Sequence, residues 1–210
     1  MIAVNRARQL TFGLPLILWL LFTFWYTNTE GPLTDAEIEE FLAFAAQTQP
    51  TMDATRVLTF MREDTGRQFV MVNILDMAAE PPPVTGAPPE MGAREMLDHY
   101  MEFMYPALLA RASHPIFAGA AVAPAMDLDG IEGAEQWTTG ALMRYRSRRD
   151  MLEIAMNPLF SERHEYKLAA LEKTIAFPVE PMLYYADPRF LLALVLFSLA
   201  ALIDLVFLRR

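Results

Sequence analysis

Apolar residues are concentrated in two runs at opposite ends of this chain. Residues 11–26 contain no charged side chain, and residues 190–208 contain only one, Asp204. As helices rising about 1.5 Å per residue, the runs would extend roughly 24 and 28 Å, close to the ~30 Å hydrocarbon core of a bilayer. The pattern therefore predicts two membrane-spanning helices, within residues 1–27 and 181–210, on either side of a polar middle.

The middle of the chain alternates between helical and strand periods. Thr34 and Glu37 have the spacing of a capping box, which predicts a helix over residues 35–48. Residues 56–61 predict a strand that leads to a turn at 63–66. The further predicted elements are strand 68–75, a proline-rich loop at 80–90, helix 93–112 kinked or interrupted by Pro106, strand 116–123, an acidic loop at 126–136, strand 137–145, helix 147–156, helix 160–171 and strand 174–177.

From residue 67 onward, the order is strand, helix, strand, strand, helix, strand. This order is that of an α+β, ferredoxin-like βαββαβ domain, in which helices cover one face of an antiparallel sheet. The sequence predicts such a domain over residues 67–180. Residues 28–66 are then an extra helix and linker in front of it.

Basic residues flank the two apolar runs on the side of the chain ends. Arg6 and Arg8 precede the first run, and Arg209 and Arg210 follow the second. By the positive-inside rule, both ends are cytoplasmic and the middle is extracytoplasmic, which in a bacterium means periplasmic, with the spans in the inner membrane. A cleavable signal peptide also begins with basic residues, but residues 24–28 lack the small-x-small cleavage pattern, which favours an uncleaved anchor.

Charge and cysteine content exclude several classes of function. Without the four terminal arginines and Asp204, the chain has 13 basic and 25 acidic residues, a formal charge of −12. This acidity argues against nucleic acid as a partner. The absence of cysteine excludes disulfides and thiolate catalysis. No pair of histidines has a metal-binding helical spacing, so no metal site is predicted.

The apolar runs carry two further features. Asp204 lies about one turn from the end of its run, so we expect a structural ion pair with Arg209 or Arg210. Small residues in both runs would permit close packing against other membrane helices, as in an accessory subunit of a membrane complex; they are Gly13, Ala193, Ser198, Ala200 and Ala201.

Five short segments of the middle resemble a known family in their order. They are residues 69–75 (FVMVNIL), 105–111 (YPALLAR), 142–148 (LMRYRSR), 156–160 (MNPLF) and 164–171 (HEYKLAAL). Together they resemble an uncharacterised family of the dimeric α+β barrel superfamily, over roughly residues 67–180. In that superfamily two ferredoxin-like sheets pair face to face, so the resemblance implies a homodimer. The two spans, the extra helix and the proline-rich insertion depart from the usual stand-alone domain.

The resemblance brings one candidate cofactor. Some members of the superfamily degrade haem with an Asn on the first strand, a Trp near the sheet and a His on the second helix. Asn73, Trp137 and His164 stand in the corresponding elements, and a neutral histidine can ligate iron. However, 27 residues separate Trp137 from His164, a longer spacing than in those enzymes, and His164 lies in a charged stretch that is typical of a solvated helix face. No cofactor is therefore predicted, and haem stays an alternative.

Tyr100 and Arg144 are the remaining candidates for a ligand site. If Arg144 faced a pocket, its guanidinium would suit an acidic small molecule, although an exposed strand arginine is the favoured interpretation. The sequence contains no complete catalytic set. It thus predicts a membrane-anchored homodimeric domain that binds a partner protein or a small apolar ligand. The alternatives are an oxygenase or isomerase of the superfamily type and a subunit of a membrane complex.

Overall fold

A computed structural model of the protein describes residues 2–48 and 53–208. The chain divides into two compact units, Met1–Thr29 together with Pro181–Arg210, and Glu30–Glu180. The elements of the second unit are α2 (Asp35–Thr48), α3 (Ala54–Arg62), β1 (Phe69–Met77), α4 (Ala93–Leu109), β2 (His114–Ala120), β3 (Thr139–Tyr145), α5 (Arg148–Ala155), α6 (Pro158–Ala169) and β4 (Leu171–Val179).

The four strands form one antiparallel sheet in the order β2-β3-β1-β4. Helix α4 connects β1 to β2, and α5 and α6 connect β3 to β4. This order and these connections are those of the ferredoxin-like βαββαβ fold, so the predicted fold class is confirmed. Residues 30–68, including α2 and α3, belong to the same compact unit as the sheet.

The two faces of the sheet have different surroundings. Phe69 and Tyr145 pair across β1 and β3, and their rings stack at 5.1 Å. They form a core with residues of α4 and α5, namely Tyr100, Met104, Leu108 and Ile154. Successive side chains of a strand point to opposite faces of the sheet, so the residues next to these core positions point away from the helices. That opposite face carries Val72, Ile74, Leu142, Ile175, Phe177 and Val179.

The predicted strand at residues 56–61 is wrong, because this segment lies in α3. Asp53 caps the helix by accepting hydrogen bonds from the backbone amides of Thr55 and Arg56. Met61 is buried against α2, where it contacts a cluster that includes Phe41. A local cap and helical packing thus override the strand propensity of this apolar segment.

The other predicted elements are present; the helix predicted at 35–48 has these bounds, and the ends of the others differ by a few residues. The capping box at Thr34 and Glu37 forms as expected, with the Thr34 amide donating to Glu37 Oε2 at 2.7 Å. Helix α4 is not interrupted at Pro106 and ends three residues later, at Leu109. Proline has no N–H to bond the carbonyl four residues earlier, so the helix gives up one backbone hydrogen bond there and ends within a turn.

The first unit contains the two apolar helices, α1 (Ile2–Tyr26) and α7 (Pro188–Ile203), the latter continued by a π-helical turn over Asp204–Leu208. They pack antiparallel. Near the start of α1, Arg8 Nε lies 2.7 Å from Asp204 Oδ1, and toward its end Trp19 Nε1 donates to the Arg189 carbonyl at 2.8 Å. The segments Arg6–Tyr26 and Pro188–Leu208 are each 21 residues long and apolar enough to cross a membrane.

Candidate functional site

The second unit contains a cavity of about 320 Å³ between the sheet and the helices that cover it. Its floor is the helix-facing side of β1, β2, β3 and β4, and its walls come from α4, α5 and α6. The lining residues from the strands include Met71, Asn73, Leu75, Phe117, Ala118, Ala141, Met143, Tyr145 and Ala176; those from the helices include Leu97, Asp98, Tyr100, Met101, Met104, Met151, Ile154, Phe160, His164 and Lys167.

A row of small residues crosses the floor of this cavity. Asn73 on β1 pairs with Ala141 on β3 and with Ala176 on β4, and Ala141 pairs in turn with Ala118 on β2. All four residues line the cavity. Three alanines in one cross-strand row leave a gap where larger side chains would meet the helices, because protein interiors otherwise pack without voids. The row therefore accounts for the cavity.

The walls are mainly apolar and rich in methionine. Five methionines line the cavity: Met71, Met101, Met104, Met143 and Met151. Methionine side chains are unbranched and polarisable, so they adapt to ligands of different shape. Such a wall suits an apolar molecule better than a strongly polar one.

One face of α6 supplies an aromatic and polar group at the cavity. Phe160, His164 and Lys167 are spaced four and three residues apart, so they lie on the same helix face. The Phe160 and His164 rings stack at 4.9 Å, and the His164 ring lies 6.0 Å from Tyr100 on α4. Lys167 Nζ lies 5.8 Å from the centroid of the Tyr100 ring, a cation–π distance.

Burial shifts the ionisation of these groups. Burial, with a smaller contribution from Lys167, lowers the pKa of His164 to about 4, so this imidazole is neutral at pH 7. Burial also lowers the pKa of Lys167 and raises that of Tyr100. The Nδ1 atom of His164 is buried and makes no hydrogen bond among the described residues. The cavity thus holds a neutral imidazole, a phenol and an amine, with an amide on its floor.

The structure brings three of the five predicted site residues together. Asn73, Tyr100 and His164 all line the cavity. The side-chain amide of Asn73 donates to the Met71 carbonyl at 3.0 Å. His164 is largely buried at the cavity, so the expectation that its charged stretch marks a solvated helix face is wrong for this residue.

Trp137 lies elsewhere, just before β3. Its Nε1 donates to the Ala134 carbonyl at 2.7 Å, and Lys173 Nζ lies 5.0 Å from the centre of its ring. The tryptophan is therefore absent from the cavity lining. The Asn–Trp–His group of the haem-degrading enzymes is not assembled at this cavity, and the residues present do not fit that use of haem.

Arg144 also lies outside the cavity, and the expectation that it is exposed is wrong. Its exposed fraction is only 1%. The guanidinium donates to Gln68 Oε1 from Nε at 3.0 Å and from Nη2 at 2.8 Å, and Nη1 donates to the Ala112 carbonyl. These hydrogen bonds of Arg144 connect β3 to the start of β1 and to the segment after α4, so the residue stabilises the fold.

Two parts of the site were missed by sequence reasoning. Lys167 was not among the candidate residues, although its position three residues after His164 places the two on one helix face. The alanines at positions 118, 141 and 176 carry no local signal. Only the strand pairing shows that they form one row.

A second cavity, of about 740 Å³, adjoins the first. It lies between α3, α5, α6 and β4, and six of its lining residues also line the first cavity: Met71, Met151, Ala155, Phe160, His164 and Ala176. Arg148 stands at this second cavity, with its guanidinium 4.7 Å from the Phe60 ring centre and 3.5 Å from Asp64. The His164 ring therefore borders both cavities.

No family model and no curated protein matches this chain. Solved structures do. The chain is similar to the RPA0582 protein of unknown function from Rhodopseudomonas palustris, with 17% identity, a TM-score of 0.53, and coverage of 63% of this chain and 96% of that one. The methylated form of RPA0582 gives 18% identity, the same TM-score, and coverage of 65% and 96%.

A dimeric ferredoxin-like protein of unknown function from Jannaschia sp. CCS1 is more distant, with 13% identity and a TM-score of 0.35 over 54% of this chain and 99% of that one. At these identities, similarity shows the fold alone. The similarity to RPA0582, a protein of unknown function, together with the strand order, confirms the ferredoxin-like fold.

Proposed function

We propose that this protein is a membrane-anchored, ferredoxin-like domain that binds a small apolar molecule between its sheet and its helices, and that it acts as a homodimer outside the cytoplasm. The observation that carries the proposal is the cavity above the row formed by Asn73, Ala118, Ala141 and Ala176. An apolar cavity with few polar groups is the usual form of a small-molecule site.

The exposure of the apolar helices supports the membrane anchor. Only 6% of the most apolar window of the first helix and 11% of that of the second is buried. A core helix of a soluble protein would be largely covered, whereas side chains such as Leu21 and Phe190 are more than half exposed. A lipid environment would cover them.

Charge and helix direction support the orientation. Because α1 and α7 are antiparallel, the two chain ends lie on the same side of this pair. Arg6 and Arg8 stand at that end of α1, so the positive-inside rule assigns it to the cytoplasm. The domain between the helices is then extracytoplasmic.

The uncovered face of the sheet supports the homodimer. Phe177 is 46% exposed and Ile175 39% exposed on β4, beside the partly exposed Val72 on β1. An apolar sheet face of this kind needs a cover, and a second copy of the same face is the cover used in the superfamily that the chain resembles.

Photolabelling tests the binding proposal. The probe is a medium-chain alkyl alcohol that carries a diazirine, and peptide mass spectrometry locates the adducts on the full-length protein. We expect labelling of cavity residues such as Met104 and Met143, and several-fold less labelling in Ala141→Phe and Ala176→Phe, since these changes fill the floor. Ala123→Phe, in an exposed loop, is the matched control. Equal labelling in all variants would refute a ligand site at the cavity.

The enzyme alternative stays a prediction. Asn73, Tyr100 and His164 share the cavity, which favours a site where a bound molecule could be held against polar groups. Because Trp137 lies elsewhere, the haem-degrading arrangement in particular is not supported by the geometry.

A further inference from the structure

The charges that line the cavity do not balance. Arg94 and Asp98 on α4 both line it, and their side chains pair at 3.2 Å. His164 is neutral at pH 7. Lys167, in contrast, has no carboxylate within 4.0 Å among the described residues. The lining therefore carries one amine that no carboxylate faces, in a protein whose formal net charge is −9.

Lysine is also a rare residue in this chain. The chain has only two lysines, Lys167 and Lys173. Lys173 has its own partners, since its Nζ donates to the Gly133 carbonyl and lies 3.8 Å from Asp76 Oδ2. Lys167 is instead half-buried, above the ring of Tyr100 and three residues from His164 on the same helix face.

An amine in such a place is incompletely solvated. Taking a charge out of water costs free energy unless an opposite charge or hydrogen-bond acceptors replace the water. The aromatic ring of Tyr100 offers a partial replacement only. An anionic group beside Lys167 would replace the lost hydration of the amine and would favour its protonated form.

We infer that the molecule bound in this cavity is an amphiphilic carboxylate, with its carboxylate at Lys167 and its alkyl or aryl chain along the methionine wall over the alanine row. The inference rests on the proposed function and specifies its ligand class. The geometry provides both halves of such a molecule's site, an apolar cavity lined by Met71, Met104 and Met143 and, on α6, one amine that has no carboxylate partner.

Two photoprobes that share one alkyl chain and diazirine test this inference. One ends in a carboxylate and the other in an alcohol. In the wild-type protein we expect the carboxylate to label the cavity at roughly tenfold lower concentration than the alcohol, the effect of one charge-assisted hydrogen bond. Lys167→Met should remove this preference, because the methionine side chain is uncharged, so that the carboxylate no longer labels at lower concentration than the alcohol. Adducts of either probe at Met104 or Met143 in this variant show that the cavity is still folded.

Lys173→Met is the matched control and should retain the preference for the carboxylate. Equal labelling by both probes in the wild-type protein would overturn the inference and leave the binding proposal standing. Loss of the preference in Lys173→Met to the same extent as in Lys167→Met would overturn it too. Failure of both probes to label the cavity would refute the proposed function itself.

Discussion

Arg8 Nε lies 2.7 Å from Asp204 Oδ1, which joins the first apolar helix to the last across 196 positions of sequence. Arg209 and Arg210, the partners expected for Asp204, lie outside the described residues. At the other end of the pair, Arg189 Nη1 donates to Thr27 Oγ1 at 3.0 Å, and its guanidinium lies 5.4 Å from the centre of the Tyr26 ring. Polar contacts at both ends thus hold α1 and α7 together within one chain.

This ion pair predicts an energetic coupling between the two helices. Asp204 is buried and the Arg8 side chain is 43% exposed, so we expect a coupling free energy of about 1 kcal/mol, at the upper end for partly exposed pairs. It is obtained from Arg8→Ala, Asp204→Ala and the double variant in a double-mutant cycle. Unfolding in mixed micelles is the measurement, followed by tryptophan fluorescence; Trp19 and Trp25 lie in the unit of α1 and α7, and Trp137 lies in the unit of the sheet. The exposed pair Arg94–Asp98, treated identically, should give a value close to zero, and a similar value for both pairs would contradict the prediction.

A second ion pair predicts the pH dependence of stability. Arg149 donates to both carboxylate oxygens of Glu37, and this contact lowers the pKa of Glu37 from 4.5 to about 2. Because the pKa is lower in the folded state, the stabilisation is complete above about pH 4.5 and is lost as the pH falls toward 2.

Glu37→Gln should therefore reduce the free energy of unfolding at pH 7. We expect roughly 1–2 kcal/mol, allowing for solvent screening of a carboxylate that is one-third exposed. The difference from wild type should shrink between about pH 4.5 and pH 2 in denaturant titrations. Glu39→Gln, at an exposed position of the same helix, is the control. A difference that stays constant with pH would contradict the role of this pair.

The orientation across the membrane is testable because the chain contains no cysteine. A single Cys at Val122, a fully exposed position after β2, should react with a membrane-impermeant maleimide in intact cells. A Cys added after Arg210 should react only after permeabilisation, since both chain ends are assigned to the cytoplasm. The reverse pattern would show that the domain faces the cytoplasm.

The open sheet face predicts which substitution would disrupt the proposed homodimer. Phe177→Arg places a charge on this face, where a facing copy would have to bury it. We expect a monomer by light scattering of the detergent-solubilised protein. Leu109→Arg, at a similarly exposed position at the end of α4, should remain dimeric. A Phe177→Arg dimer as stable as wild type would place the interface elsewhere.

The sequence predicts most of the fold because helices and strands depend on local signals, namely the spacing of apolar residues and the capping residues at helix ends. Strand β1, the capping box of α2 and the separation of α5 from α6 all lie where the pattern predicts them, within a few residues. Helix α3 was misjudged because its apolar residues suit a strand, and the deciding contacts of Met61 with α2 are not local.

The site was predicted less completely, for a physical reason. Arg144 is buried because Gln68 and the Ala112 carbonyl, both distant in sequence, meet its guanidinium. Lys167 lines the cavity because α6 packs against α4, which brings the Tyr100 ring next to the Lys167 side chain. Burial of a charged side chain depends on such distant partners, which periodicity does not reveal.

The most direct test of this account is native mass spectrometry of the full-length protein released from mild detergent. We predict a homodimer with a reproducible additional small mass, retained in Ala123→Phe and lost in Ala141→Phe. A dimer that carries no such mass, even after incubation with the alkyl alcohol and carboxylate probes, would contradict ligand binding in the cavity. A strict monomer would contradict the paired-sheet assembly.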